Sequence, residues 1–439
     1  LGCDVRRTKR IVFNQITKKA IQDAVRQPTV LNMDLFYAQQ ARRLLDRIIG
    51  YTLSPVLWDN IDHASSLSAG RCQSPAVQLI YDRCKDIENF WADAGTSSSF
   101  ASTGQFLGFP KATFKDTYAT EQEVRVFLGH AADASWIVRD VKDTKHSQNA
   151  PPPFVTSTLQ QYASSSLGMS PKTCMKLAQT LYEAGYITYM RTDSKTLSEE
   201  CLAACEKYVH ETYGKEYGQR KQWSTRNKNA QEAHEAIRPV YVHKTTIPLA
   251  QPEQRLYQLI WKRTVASQMS AKKWDKRTFV FASSADKDAD PIYLATSAVQ
   301  RVTFPGWTVL YAATAAATAT ADEGNHGENA ADAPLLTAEV GAAATLRTVE
   351  TKQTYATPTG RYSEATLIKA LEKHGIGRPS TFSSIVTTIL ERGYVERKNL
   401  PGTKKPQLQL TLNVDTGKIA KKEKKVTLGK EKNKLCVTD

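Results

Sequence analysis

The sequence predicts an α+β chain of several domains, and three observations support this. At 439 residues the chain exceeds the ~100–200 residues of a single domain by enough for two to four. Stretches with β-like alternation, 99–141, 277–299 and 338–352, are separated by segments of helical pattern. Subtracting 186 from 394 gives an offset of 208, the shift that lays Tyr186 on Tyr394, and it superposes two helix–turn–helix patterns.

Composition narrows the partners. A formal charge of +15 and a pI near 9.3 point to a polyanion, of which nucleic acid is the commonest. The hydrophobic content of 41% is enough for packed cores. No apolar run approaches the ~20 residues that cross a bilayer, so no membrane partner is expected. Seven cysteines occur without a Cys-x-x-Cys; Cys201 and Cys205 stand one helical turn apart with no second pair to complete a zinc tetrahedron. They are expected to be reduced, packed thiols, and no metal ligand set is assigned.

In chain order, Gln39 to Arg47 reads as helix, with Gln39, Arg43 and Arg47 on one face and Arg42 adjacent. Leu44, Leu45, Ile48 and Ile49 are its predicted buried side. Planar guanidinium forks on an exposed face suit phosphate oxygens. Tyr37, Tyr51 and Trp58 could stack on bases, with core packing as their default. In the first repeat, Ser170 is a predicted N-cap and Pro171 the first helical residue. Cys174, Leu177, Ala178 and Leu181 then form the apolar face, and Gly185 stops the helix before a strand. The offset pairs Thr158 with Thr366, Gly185 with Gly393, and Tyr189 with Arg397. Gln254 to Trp274 is helical by pattern. Ala312 to Pro334 reads as a disordered, low-complexity insertion. Lys418 to Lys434 carries eight lysines and reads as a solvated tail, with non-specific DNA contact as its second reading.

The segment Gly185-Tyr-Ile-Thr-Tyr-Met-Arg-Thr-Asp-Ser194 concentrates the chemistry. A phenol beside a guanidinium can attack a phosphodiester while the cation balances charge on the non-bridging oxygens. A free phenol, with pKa ~10, needs such help at neutral pH. Arg191, two residues beyond Tyr189, shares its face in an extended strand, and so does Asp193, which either takes part or buttresses Arg191. Tyr186 has a counterpart in the second repeat and is explained by packing. Tyr189 has none, which makes it the candidate nucleophile.

This motif closely resembles the active-site signature of type IA DNA topoisomerases. Four further segments resemble the same family in the same order: Gln39–Arg47, Leu67–Ser74, Gln231–Pro239 and Gly375–Thr381. The resemblance runs from about Arg10 to about Gln409, outside the insertion.

The resemblance implies a helical DNA-binding domain and winged-helix-like modules joined by a β-rich arch that encloses a central hole. The helical DNA-binding domain would begin at 10–88 and the arch at 89–152. The catalytic winged-helix-like domain would occupy 153–268, and the arch would return over 269–352 around the insertion at 312–334. A second DNA-binding part would span 353–410, followed by a basic tail at 411–439.

It further implies that Tyr189 cuts single-stranded DNA, stays joined to the 5′ phosphate, and reseals after strand passage, relaxing negative supercoils. The link conserves bond energy, in keeping with a sequence that has no Gly-x-x-x-x-Gly-Lys-Ser/Thr loop. By the same resemblance His234 stands near the nucleophile, while Arg42, Arg43, Arg47, Arg71, Gln73, Arg378, Ser380 and Thr381 bind DNA. Glu235 and Arg238 are also explained as an i,i+3 helical pair.

The family also carries a magnesium-binding Toprim domain with a glutamate and an Asp-x-Asp pair ahead of the segment matching Arg10–Asn14. Here nine residues precede it, none a glutamate, and Asp286-Lys-Asp-Ala-Asp290 reads as a solvated turn. The expectation is a fragment or one part of a split enzyme, unable to relax DNA alone. A separate Toprim-bearing chain would be its partner and would hold the Mg2+, with none in this chain. A non-catalytic module for single-stranded DNA on the same scaffold is the alternative.

Overall fold

The computed structural model describes residues 8–61, 67–93, 97–224, 235–284, 292–312 and 336–438. The insertion at 312–334 falls almost wholly outside the described residues, as do His234 and Asp286–Asp290.

The chain opens with β1 (Lys9–Arg10), α1 (Lys18–Arg26), β2 (Thr29–Val30), α2 (Met33–Asn60) and α3 (Gln73–Asp93). A large antiparallel sheet follows, built from β3 (Ser98–Phe106), β4 (Ala112–Tyr118), β5 (Ser135–Gln148), β6 (Lys272–Ser284), β7 (Tyr293–Phe304) and β8 (Leu346–Tyr355). β10 (Thr403–Asn413) and β11 (Lys418–Leu428) complete it in the order β11-β10-β8-β3-β4-β7-β6-β5. The distant β segments thus meet in one sheet, as their alternation predicted. On one face Phe106 stacks on Phe281 at 4.0 Å and Phe114 meets Phe127 edge-on at 5.1 Å. Phe127 belongs to α4 (Glu121–Asp133), a helix inside the stretch read as continuous β. Its signal is the Thr120-x-x-Glu123 spacing: the Thr120 hydroxyl oxygen accepts from the Glu123 N–H at 3.2 Å.

The segment 411–439 is not a solvated tail. β11 pairs along its whole length with β10, and β12 (Glu431–Val437) pairs with β9 (Val395–Leu400), burying Leu428, Leu435 and Cys436. Lysines crowd β11 because it is an edge strand, where repelling side chains block pairing with other chains. The lysine count hid that role.

The internal repeat is present in three dimensions. α5 (Thr156–Leu167) and α6 (Pro171–Glu183) correspond to α9 (Glu364–Lys373) and α10 (Phe382–Glu391), with α7 (Glu199–Tyr213) and α8 (Gln251–Ala266) between the pairs. The Thr158 and Thr366 hydroxyls each accept the N–H three residues earlier, from Val155 and Ser363. Gly185 and Gly393 end the helices at φ 73° and 70°, a left-handed turn that glycine adopts without strain. The copies then diverge. The second continues as β9, whereas residues 186–198 form no ladder strand and keep one isolated bridge, Ile187 to Pro239. The strand expected after Gly185 is therefore absent.

α2 also departs from expectation. Ser54 is its one buried residue; Leu44 is 59% and Ile48 62% exposed. An apolar face is buried only where another element covers it, and among the described residues none does. Tyr37 and Trp58 are likewise exposed, and Tyr51 is 70% so, which overturns core packing for all three.

Candidate active site and nucleic-acid interface

Although residues 188–194 lack a ladder, their side chains alternate as in a strand. Thr188, Met190, Thr192 and Ser194 are buried; Tyr189 and Asp193 are half-buried and Arg191 is exposed. Neighbouring segments hold the even-numbered side. The Thr188 N–H donates to the Arg238 carbonyl at 3.0 Å and its hydroxyl to the Ala236 carbonyl at 2.7 Å. The Thr156 hydroxyl donates to the Met190 carbonyl at 2.7 Å and accepts from the Thr192 N–H at 2.9 Å. The Tyr189 N–H donates to the Asn14 carbonyl at 2.7 Å, so the chain before α1 also grips the segment. The odd-numbered side chains are left on the outer side.

The Tyr189 ring meets Tyr182 edge-on at 5.3 Å. Burial pushes the Tyr182 phenol above its ordinary value, with Tyr189 adding to the effect.

Arg238 is 5% exposed on its side chain and does more than pair with Glu235. The pair exists, Nε to Oε2 at 2.6 Å, but in extended chain rather than a helix. The guanidinium also donates to the Pro239 carbonyl at 3.1 Å and the Ser198 hydroxyl at 3.1 Å. Sequence reading treated Arg238 as ordinary; its signal was its place within the motif that ends in Pro239.

A second site gathers the basic motifs. A cleft of about 650 Å³ is lined by Arg42, Arg47, Arg71, Gln73, Arg378 and Thr381, which come from α2, the start of α3 and the turn before α10. Arg43 and Ser380 do not line it. Arg392 and Asp46, which sequence reading missed, do. Asp46 binds Arg71 through both oxygens, at 2.8 and 3.3 Å, and the guanidinium holds the Asp46 carboxyl below the usual range. Gln73 donates to the Ser68 carbonyl at 2.8 Å and accepts from Arg392 at 3.3 Å. The Arg378 N–H is already given to the Thr381 hydroxyl at 2.8 Å and is not open to a phosphate. Tyr51 lies in the cleft under Arg47, 5.8 Å from ring centroid to guanidinium carbon. The two repeats touch directly: Ser157 donates to Glu372 at 2.7 Å and Lys172 pairs with Glu391 at 2.9 Å.

The sheet supplies a third feature. Tracing the register from β5 to β11 places Lys142, Lys276, Lys115, Lys352, Lys422 and Lys424 on the face opposite the phenylalanines. The space between them is filled largely with threonine and glutamine, and among the described residues of this face only Ala282 and Leu428, each near an end of its strand, are buried. Asp143, Asp275 and Glu423 fall on the other face. Asp140 and Glu350 share the lysine face, and Glu350 is paired with Lys111 at 2.7 Å and Lys352 at 2.9 Å. Among the described residues no three His, Cys, Asp or Glu side chains cluster as a metal site.

The sequence matches the family described as DNA topoisomerase over residues 30–424. DNA topoisomerase 1 of Vibrio cholerae is 42% identical over 409 residues, covering 90% of this chain and 44% of that protein. DNA topoisomerase 1 type prokaryotic of Acanthamoeba polyphaga mimivirus is 35% identical over 465 residues, covering 98% and 53%. Full-length topoisomerase I from Thermotoga maritima superposes with a TM-score of 0.71 at 34% identity, over 89% of this chain and 62% of that one. The chain spans about half the length of the curated relatives it matches.

Proposed function

The chain belongs to the type IA DNA topoisomerase family, and we propose that within it Tyr189 is the nucleophile of transient single-strand DNA cleavage. The observation that carries this reading is the outward row Tyr189, Arg191, Asp193, held by hydrogen bonds on the buried side of the same segment. The phenolic oxygen attacks phosphorus, the bond to the 3′ oxygen breaks, and the proton lost from the phenol ends on that oxygen. The 5′ phosphate remains on Tyr189, and the reverse attack reseals the strand with no ATP consumed. Arg191 stabilises the negative charge on the non-bridging oxygens. Asp193 orients Arg191, and His234, outside the described residues, is retained as a further candidate.

The cleft with Arg42, Arg47, Arg71 and Arg378 fits a single strand: forks for phosphate, and Tyr51 for a base. The lysine face fits duplex backbone, since flexible point charges meet phosphates without reading bases. An arch around a hole and winged-helix-like modules belong to the same proposal. So does a Toprim part, carried beyond these 439 residues or on another chain, that supplies Mg2+ and is required for relaxation of negative supercoils.

The test uses the 439-residue chain, with and without the Toprim part of a bacterial relative, on an end-labelled single strand quenched with denaturant. Covalent protein–DNA adduct is expected with the wild type and none with Tyr189→Phe, while Arg191→Ala lowers its yield by ~100-fold. Strand binding without adduct in any mixture would instead identify a non-catalytic binding module.

A further inference from the structure

We propose that Glu372 is a positioning residue for strand cleavage, a role that rests on Tyr189 as the nucleophile. Through Ser157 it steadies the start of α5, and α5 holds the segment that carries Tyr189. Glu372 lies in the last turn of α9, and its Oε1 accepts from the Ser157 hydroxyl at 2.7 Å. Ser157 is the second residue of α5 and is 1% exposed. Thr156, the first, grips the segment at three points. Its hydroxyl donates to the Met190 carbonyl at 2.7 Å and accepts from the Thr192 N–H at 2.9 Å, and its own N–H donates to the Thr192 carbonyl at 2.9 Å. These bonds flank Arg191 and begin one residue after Tyr189.

The two repeats begin this helix differently, and the difference singles out Glu372. α9 supplies its own cap, Ser363, whose hydroxyl oxygen accepts from the Thr366 N–H at 3.3 Å, and its own first-turn acid, Glu364. At the matching positions α5 has Val155, which has no side-chain oxygen, and Thr156, and its first turn holds no acid. A carboxylate near a helix N-terminus is favoured by the helix dipole, and the other repeat supplies it to α5 as Glu372. Glu364 in turn pairs with Arg397, the residue matched to Tyr189. In both copies, then, the first helical residue grips the chain that follows the glycine stop.

Glu372 also stands three residues before Gly375, which with Gly377, Arg378 and Thr381 lines the arginine cleft. The turn that meets a bound strand thus continues directly into the helix that steadies the nucleophile, and the segment is fully held only while the two repeats touch. Lys172 and Glu391, the other polar contact between the repeats, do not share this role. Their side chains are 70% and 63% exposed, where solvent screens the pair, and Lys172 makes no bond to the segment 188–194.

The 439-residue chain is mixed with the Toprim part of a bacterial relative, and adduct formation on a saturating, end-labelled single strand is timed. Glu372→Ala and Ser157→Ala, each checked by circular dichroism for an intact fold, should slow it by ~10–100-fold. Strand affinity, read by fluorescence anisotropy, should not change. Glu372→Gln keeps an oxygen for Ser157 and should recover most of the rate. The variant with both alanines should be no slower than either alone, and Lys172→Ala should match the wild type. In the chain by itself, hydrogen exchange across residues 188–194 should be ~10-fold faster in Glu372→Ala. A wild-type adduct rate in Glu372→Ala, additive losses in the double variant, equal slowing in Lys172→Ala, or unchanged exchange across 188–194 overturns the proposal and leaves Tyr189 as the nucleophile. Adduct that persists in Tyr189→Phe, or none with the wild type, removes the nucleophile and this role of Glu372 with it.

Discussion

Thr188 and Arg238, 50 residues apart, exchange two hydrogen bonds: the Thr188 N–H to the Arg238 carbonyl at 3.0 Å, and the Arg238 N–H to the Thr188 hydroxyl at 3.0 Å. The hydroxyl donates onward to the Ala236 carbonyl. The residue before the proposed nucleophile is thereby tied to a second segment of the chain, and Tyr189 inherits its direction from that tie.

Thr188→Val keeps the shape and removes the hydroxyl, which leaves a buried N–H and a buried carbonyl without their partner. A loss of about 1–3 kcal/mol is expected, read from urea unfolding, together with a lower adduct yield. Thr188→Ser should recover most of both. A Thr188→Val protein as stable as wild type would show that the tie is idle.

The two glycine stops should respond unequally. A Cβ on Gly393 meets open space, so Gly393→Ala pays only the left-handed backbone penalty, ~1–2 kcal/mol. On Gly185 the added carbon stands 3.0 Å from the Ile16 carbonyl oxygen, so Gly185→Ala should cost more and also disturb the chain before α1. Thermal denaturation of the two variants side by side decides it; equal losses would mean that Ile16 yields freely.

Asp46 competes with phosphate for Arg71. Asp46→Asn should tighten binding of a single strand and steepen its salt dependence by about 0.7 in log K against log salt, as fluorescence anisotropy would register. The pH response has a definite sign. The folded Asp46 carboxyl is depressed by Arg71, so the pair stabilises the fold above the ordinary carboxylate value and ceases to as pH falls through the depressed one. Both partners are well exposed, at 38% and 49%, and screening keeps that contribution below about 1 kcal/mol. Over the same range wild-type affinity should approach that of Asp46→Asn, and parallel titration curves would refute the competition.

Replacing Lys418, Lys422 and Lys424 with glutamine clears the outward side of β11, where they face Asn413, Gln409 and Gln407. Duplex DNA should then bind with a salt slope shallower by about 0.9 for each phosphate left without its lysine. Adduct formation on a single strand should be unchanged, because among the described residues no hydrogen bond or ion pair joins these lysines to the segment that carries Tyr189. An unaltered duplex slope would remove the sheet face from the DNA path.

The repeat, the Ser170 cap, the separated β segments and the shared direction of Tyr189, Arg191 and Asp193 were all legible in the chain itself. Each depends on a period of two or 3.6 residues, or on a local cap, and such signals need no distant partner. Where sequence reading failed, the deciding contact was remote. The lysines of β11 looked like a solvated run until β10 paired with them. Leu44 and Ile48 carry the pattern of a buried face, yet no described element covers them.

By itself, then, the sequence determined the family and which residues stand as candidates for the chemistry, because residue type and spacing are properties of the chain. The tertiary structure alone decided what holds them. Arg238 reaching Thr188, Asp46 occupying Arg71, and the six lysines meeting on one sheet face each join segments far apart in sequence. Such pairings are selected by burial and hydrogen-bond satisfaction over the whole fold, and no local pattern encodes them.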